Sequence, residues 1–322
     1  MAELTYFEAR TRALGDLMRV DERVYVMGGH IGRPSSPALG VPEEFAHRTR
    51  RMPIGELGYA GAAIGMAAAG MRPIVTWLVA SYMYQAWAQV CNEAPNYHYQ
   101  TGGQTRVPVV FHMNTGIREH CGAQHNHSPA AMFWNTPGLE IVMPSTPADI
   151  AGLLPSVIGS NSPTMLLEHH HLAKIRGEVP DTVPVIPLGK GDVKRKGKDV
   201  TIVAFSIMVH RALEAAQTLA ARGIDVEVVD PRCLVPLDKA CILESVAKTG
   251  RLVIADECHR SGGVGAGLAS IVAEDGFHFL RAPIRIVATE DTPIPFSPEL
   301  EAFVTPTAEK IVAAVEGLMK VR

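Results

Sequence analysis

Short apolar runs alternate with helix-patterned stretches twice along this chain, and a proline-bearing, basic stretch separates the two series. That alternation limits the possible folds more than any other feature. In the first series, strands are expected at Val24-Tyr25-Val26-Met27, 74–78, 107–113, 139–143 and 164–168, with helical patterns at 81–99 and 148–158. Strands alternating with helices assemble as a mainly parallel sheet. A first amphipathic helix over 5–20 places Phe7, Leu14, Leu17 and Met18 on one face, with Thr5 as N-cap and Glu8 completing a capping box. Pro180, Pro184 and Pro187 and the basic run 190–198 mark a connector. Beyond it, strands at 200–205, 226–230 and 252–255 alternate with helices at 208–222 and 238–249, and a last helix covers 308–319. Gly223 and Gly250 stand where helix C-caps favour glycine. The expected division is a domain over 1–176, a linker over 177–198 and a smaller open α/β domain over 199–322.

Two uncharged stretches refine this picture. Residues 57–71 are almost all Ala, Gly, Ile and Met, too apolar all round for a surface helix, so a buried helix at a subunit contact is expected. Residues 73–92 are about as long as a membrane span. Thr76, Ser81, Gln85, Gln89 and Asn92 make the stretch too polar for lipid, and it reads as a buried strand followed by a buried helix. With 30 basic against 33 acidic residues the net charge is −3, which gives no electrostatic reason to expect nucleic acid or an anionic membrane as partner. The 47% of hydrophobic side chains can fill sizeable cores, which excludes wholesale disorder. Five cysteines without a CxxC suggest reduced thiols rather than a disulfide framework or zinc ribbon. The first residues lack a secretory signal pattern, so the cytoplasm is the expected location.

Four places could carry chemistry. The glycine-rich stretch 261–267 follows a strand and opens a helix, which invites a nucleotide-binding reading, but its spacing is not GxGxxG and a structural turn is preferred. His169-His170-His171 cannot all face one ion from a strand or helix, so no metal is expected there. The region 112–127 gathers His112, His120, His125 and His127 with Arg118 and Glu119, and reads as a functional loop after a parallel strand. Glu56 lies in a turn leading into the uncharged helix. A carboxylate beside a segment that must be buried needs a dedicated partner, or else serves simply as a helix-start residue favoured by the dipole.

These residues resemble the β subunits of thiamine-diphosphate-dependent 2-oxo acid dehydrogenase E1 components, relatives of the second half of transketolase. The resemblance is carried by Ile54-Gly55-Glu56-Leu57-Gly58-Tyr59-Ala60-Gly61, by Ala69-Gly70-Met71-Arg72-Pro73 and by Gly122-Ala123-Gln124-His125-Asn126-His127-Ser128. It continues through Pro137-Gly138-Leu139, Pro144-Ser145-Thr146-Pro147-Ala148-Asp149 and Asp291-Thr292-Pro293-Ile294-Pro295-Phe296-Ser297-Pro298. It implies an α/β fold: a pyrimidine-binding domain with a mainly parallel sheet and helices on both faces, then a smaller transketolase C-terminal domain. It further implies Ile54, Glu56, Leu57 and Tyr82 as cofactor contacts. Glu56 would share a proton with N1′ of the aminopyrimidine and so promote the ylid, while Tyr82 would pack on the ring. His125 would be the second catalytic residue, assisting proton transfer or orienting the substrate carboxylate.

The family's GDG motif for diphosphate and Mg²⁺ does not occur in this sequence. The resemblance therefore implies half a site: an α subunit carries the metal, the assembly is an α2β2 heterotetramer, and this chain itself holds no metal. The implied function is decarboxylation of a 2-oxo acid, or cleavage of an acyloin such as acetoin, with acyl transfer to a lipoyl-bearing E2. The sequence departs from the family at 114–121, where many relatives carry glycines, and at Ser81, where many have Asp. Two other functions compete with this one: a carboligase or split transketolase that does without lipoamide, and a noncatalytic scaffold partner.

Overall fold

The computed structural model describes residues 1–31 and 40–321, in two compact units. The first comprises Met1–Thr115, Met132–Leu188 and Leu234–Pro236; the second comprises Gly116–Ala131, Gly189–Cys233 and the chain from Leu237 onward. Residues 116–131 thus leave the first unit and return to it, an excursion that a division by chain order does not show.

The first unit is built on a seven-stranded sheet in the order Cys233–Val235, Glu140–Val142, Thr164–His169, Val110–Thr115, Arg72–Trp77, Val24–Gly28, Thr49–Arg51. Every pairing from Glu140–Val142 across to Thr49–Arg51 is parallel. The central strands are buried along their length apart from half-buried Arg72, as a sheet covered on both faces requires. Helix Tyr6–Val20 begins with the capping box, the Thr5 hydroxyl accepting from Glu8 N and the Glu8 carboxylate accepting from Thr5 N. It packs against helix Pro147–Gly159, and Trp77 anchors the core between Tyr59 (ring centroids 6.0 Å) and Phe111 (5.8 Å).

Residues 81–99 do not form the single helix that their apolar pattern suggests. The helix Ala80–Met83 passes into a 3-10 turn at Tyr84–Ala86, then a π-helical stretch at Ala88–Glu93, before helix Ala94–Gln100. Pro95 has no N–H and its ring would clash with the carbonyl four residues back, so the backbone widens into a π turn just ahead of it. His112 lies inside strand Val110–Thr115, within the strand expected at 107–113, and is fully buried, so it is not part of the functional loop expected at 112–127.

That histidine belongs to a buried polar cluster. Glu168 accepts hydrogen bonds from the Tyr6 hydroxyl (3.1 Å), the Arg10 guanidinium and His112 Nε2 (3.0 Å). Burial pushes the His112 pKa down, so the ring is neutral: Nε2–H donates to Glu168, and Nδ1 accepts from the Thr76 hydroxyl at 2.7 Å. Burial alone would raise Glu168, but Arg10 and His112 outweigh it and hold the carboxyl well below the usual carboxylate range.

The second unit is a five-stranded sheet in the order Arg285–Thr289, Leu252–His259, Val200–Ala204, Val226–Asp230, Asp192–Arg195, parallel except for the last strand. Helix Ile207–Ala220 and the closing helix Ala308–Met319 pack together, while Lys239–Thr249 is capped by Asp238 at its start and by left-handed Gly250 (φ 70°) at its end. The glycine-rich stretch is a packing turn. A Cβ at Gly263 would lie 2.3 Å from the His259 carbonyl, and one at Gly265 would lie 2.8 Å from Ile286. Gly265 N–H already donates to the Asp256 carboxylate at 2.8 Å, so the start of helix Val264–Asp275 carries its own anion. Among the described residues, no helix is long and apolar enough to cross a membrane.

Replacing Glu168 by Gln strands the Arg10 charge in the core, and the expected loss of unfolding free energy at pH 7 is about 3–5 kcal/mol. Because the native carboxyl titrates below its unfolded value, its stabilisation is complete above the ordinary carboxylate pKa and is lost as pH falls below it. Urea titrations should therefore show the gap between wild type and E168Q narrowing below about pH 4. A gap that does not change between pH 7 and pH 3 contradicts the ionised form.

Candidate active site

In the first unit the site is assembled around the end of strand Val24–Gly28. Gly28 must be glycine: a Cβ there would sit 2.3 Å from the Thr76 carbonyl oxygen of the neighbouring strand. The close approach lets the chain turn at the carboxyl edge of the parallel sheet, where α/β folds place their ligands. A Cβ on the next residue, Gly29, would lie 3.9 Å from both Ile54 and Tyr59. His30 then stacks on Tyr82, ring centroids 5.1 Å apart and planes 22° from parallel. One three-residue turn thus gathers Ile54, Tyr59 and Tyr82, residues drawn from two other segments.

Glu56 is the first residue of helix Glu56–Ala68, and Gly55 at the N-cap supplies no side-chain bond. The unpaired amides of that first turn favour a negative charge. Glu56 is only 8% exposed, yet its neighbours Ile54 and Leu57 are 70% and 56% exposed. A buried carboxylate is therefore set between two bare apolar side chains, with half-buried Tyr82 joined to the same turn through His30. Tyr59 lies beneath with its hydroxyl near Glu56, the Trp77 indole and the Gly29 backbone; burial, then the Glu56 charge, push its pKa far up, so it stays a neutral hydroxyl. Apolar surface for a ring's faces and one acid/base group for its edge form the donor set that an aminopyrimidine needs. The sequence alone does not point to the contributions of Gly28, His30 and Tyr59.

The helix starting at Glu56 is buried on one face only. Tyr59, Ala60, Ala63, Ile64 and Ala67 face the core, whereas Leu57, Gly58, Ala62, Gly65 and Ala69 are exposed. A Cβ at Gly58 or Gly65 would meet nothing within 4 Å. Nothing among the described residues requires glycine at either position.

His125 belongs to the second unit, in the excursion Gly116–Ala131. The loop is closed on itself by Gly116 N–H donating to the His127 carbonyl (2.7 Å) and Arg118 N–H to Asn126 Oδ1 (3.0 Å). His125 is half-buried and its Nδ1 lies 3.0 Å from the Gln124 carbonyl. A carbonyl only accepts, so Nδ1 carries the proton in this contact and Nε2 is the other ring nitrogen. His127 is pushed below the ordinary histidine range, first by burial and then by the nearby His259 and His125 charges. The structure thus groups Ile54, Glu56, Leu57 and Tyr82 in the first unit and places His125 in the second. His169, His170 and His171 pack ring against ring, and no group of His, Cys, Asp or Glu among the described residues is arranged to hold a metal.

Comparison with known proteins agrees with this architecture. Residues 2–175 match the family described as transketolase, pyrimidine binding domain, and residues 189–311 match transketolase, C-terminal domain. The chain is 42% identical over 281 residues to the β subunit of acetoin:2,6-dichlorophenolindophenol oxidoreductase of Cupriavidus necator, covering 87% of this chain and 83% of that one. It is 39% identical to the pyruvate dehydrogenase E1 component subunit β of Rickettsia felis, over 98% of both chains. It is 36% identical to the 2-oxoisovalerate dehydrogenase subunit β of Bacillus subtilis, over 99% of both. Among solved structures, a split-gene transketolase described as an inactive β4 tetramer matches with a TM-score of 0.82 and 26% identity, over 99% of each chain.

Proposed function

Because the chain belongs to the transketolase-like β subunits of 2-oxo acid and acetoin dehydrogenase E1 components, we propose that it supplies the activating half of a thiamine diphosphate site. The observation that carries this reading is Glu56, 8% exposed at a helix start between the exposed side chains of Ile54 and Leu57. Thiamine diphosphate, when bound, supplies a carbon nucleophile that adds to the substrate carbonyl and an electron sink for the bond that then breaks.

Glu56 exchanges a proton with the pyrimidine ring nitrogen N1′. Ile54, Leu57 and Tyr82 hold the ring faces and keep water from the proton-transfer edge. His125, with Nδ1 fixed on the Gln124 carbonyl, offers Nε2 to the substrate carboxylate or to the proton moving in acyl transfer.

Diphosphate and Mg²⁺ fall to an α subunit, since this sequence has no GDG. The uncharged, small-residue face of helix Glu56–Ala68 supports such a partner, because it lets another backbone approach closely beside Glu56. An α2β2 assembly in the cytoplasm, feeding a lipoyl-bearing E2, follows from the same reading. The substrate is a 2-oxo acid or an acyloin.

Reconstitution with the α subunit tests this reading. Turnover of pyruvate, 2-oxoisovalerate or acetoin with lipoamide is expected to require added thiamine diphosphate, and Glu56→Gln is expected to lower it about 10²–10⁴-fold with assembly intact. Unchanged turnover in E56Q removes Glu56 from the chemistry. Inactivity with every lipoyl acceptor, alongside carboligation to an aldehyde, establishes the lipoamide-independent alternative. Gly65→Leu, with open space around it, is expected to leave the chain folded and as stable as before, yet to block assembly with α in sedimentation; normal assembly would exclude this face from the interface.

A further inference from the structure

The second unit contains a buried carboxylate that the proposed chemistry does not use. Glu301, 7% exposed, lies on helix Pro298–Val304, just after the motif at 291–298. Its two oxygens accept from His120 N–H at 3.3 and 3.0 Å, and Oε2 also accepts from Asn126 Nδ2 at 3.2 Å. The His120 ring approaches the same carboxylate, Nδ1 to Oε1 at 3.4 Å. Both ends of the turn that carries His125 are therefore tied to one side chain about 180 residues away in sequence.

The turn needs such a tie. Glu119 (φ 20°) and His120 (φ 59°) are consecutive non-glycine residues in left-handed backbone, which persists only where the surroundings impose it. Around Glu301 the rest of the bed is complementary. Ile117 is buried in an apolar cluster with Ile294 and Val304, and a Cβ at Gly122 would pack on Phe296 at 3.8 Å. Ile117 N–H donates to Glu257 at 3.3 Å, and Glu257 is in turn held by Arg211 at 3.0 Å.

We propose that Glu301 is a positioning residue for the reaction: its carboxylate fixes the turn at 117–126 and so sets where His125 presents Nε2. The inference rests on the assignment of His125 to the active site. It gives the motif at 291–298 and the helix that follows a task in catalysis without contact with substrate.

The test compares wild type, Glu301→Ala and Glu301→Gln in the full chain, alone and assembled with α. In E301A, amides of 117–127 should exchange with deuterium about 10-fold faster or more, with strand Val200–Ala204 unchanged. Its kcat should fall about 10²-fold with KM for thiamine diphosphate unaltered, as a misplaced catalytic group predicts. Glutamine keeps one acceptor for His120 N–H and should restore a measurable part of both. Unchanged exchange at 117–127 overturns the proposal, as does faster exchange throughout the five-stranded sheet, which would make Glu301 a folding residue. A loosened turn with normal kcat overturns the link to catalysis. Absence of thiamine-dependent turnover in wild type would instead remove the functional reading, while the exchange comparison would still decide whether Glu301 holds the turn.

Discussion

A carboxylate taken out of water must be given something in return, and this chain is organised around the ways it does so. Glu168 receives Tyr6 and Arg10 from the first helix and His112 from a neighbouring strand, and thereby ties that helix to the centre of the seven-stranded sheet. Asp256 receives the Gly265 amide and closes the glycine turn. Glu257 and Glu301 receive backbone amides of a loop that would otherwise be strained. Glu56 receives the weakest compensation of these, a helix start and a neutral tyrosine beneath it. Glu56 lies beside the exposed side chains of Ile54 and Leu57, whereas Glu168, held ionised by Arg10 and His112, lies wholly inside the core.

The same contrast separates scaffold from site. The parallel strands supply rigid ends, and the glycines at those ends allow backbones to touch: Gly28 against Thr76 in one unit, Gly263 against His259 in the other. What the turns then present is the proposed cofactor site in the first case and packing in the second. The difference lies in the side chains gathered there. Gly29 and His30 collect Ile54, Tyr59 and Tyr82, while the helix beginning near Gly263 is already occupied by Asp256.

Features are legible in the sequence where their cause is itself local. The Thr5–Glu8 capping box, the strand Val226–Asp230, the helix Ala308–Met319 and the left-handed Gly250 all depend on neighbours within a few residues. Apolar patterning misled at 81–99, where Pro95 imposes a π turn that periodicity does not encode. At His112 the pattern placed the strand correctly, but grouping it with the loop histidines that follow missed its partners, because Glu168 and Thr76 are brought beside it only by the sheet. The short outer strands Ala2–Thr5, Arg176–Val179 and Asp192–Arg195 carry too few residues for a pattern. Glu56 was noticeable as a charge entering an uncharged helix, but that alone leaves two readings open; the cofactor role proposed for it rests on the order of motif blocks along the chain. Glu301 had no local signal at all, because its partners lie about 180 residues away.

The central claim is that Glu56 activates a cofactor held jointly with an α subunit. Deuterium exchange at the thiazolium C2 carbon, measured by rapid quench in the assembled protein, reads that activation before any substrate is involved. Exchange faster than in free thiamine diphosphate, and slowed about 10²-fold or more in Glu56→Ala, is the expected result. Exchange as fast in Glu56→Ala as in wild type, with cofactor still bound, would contradict the account.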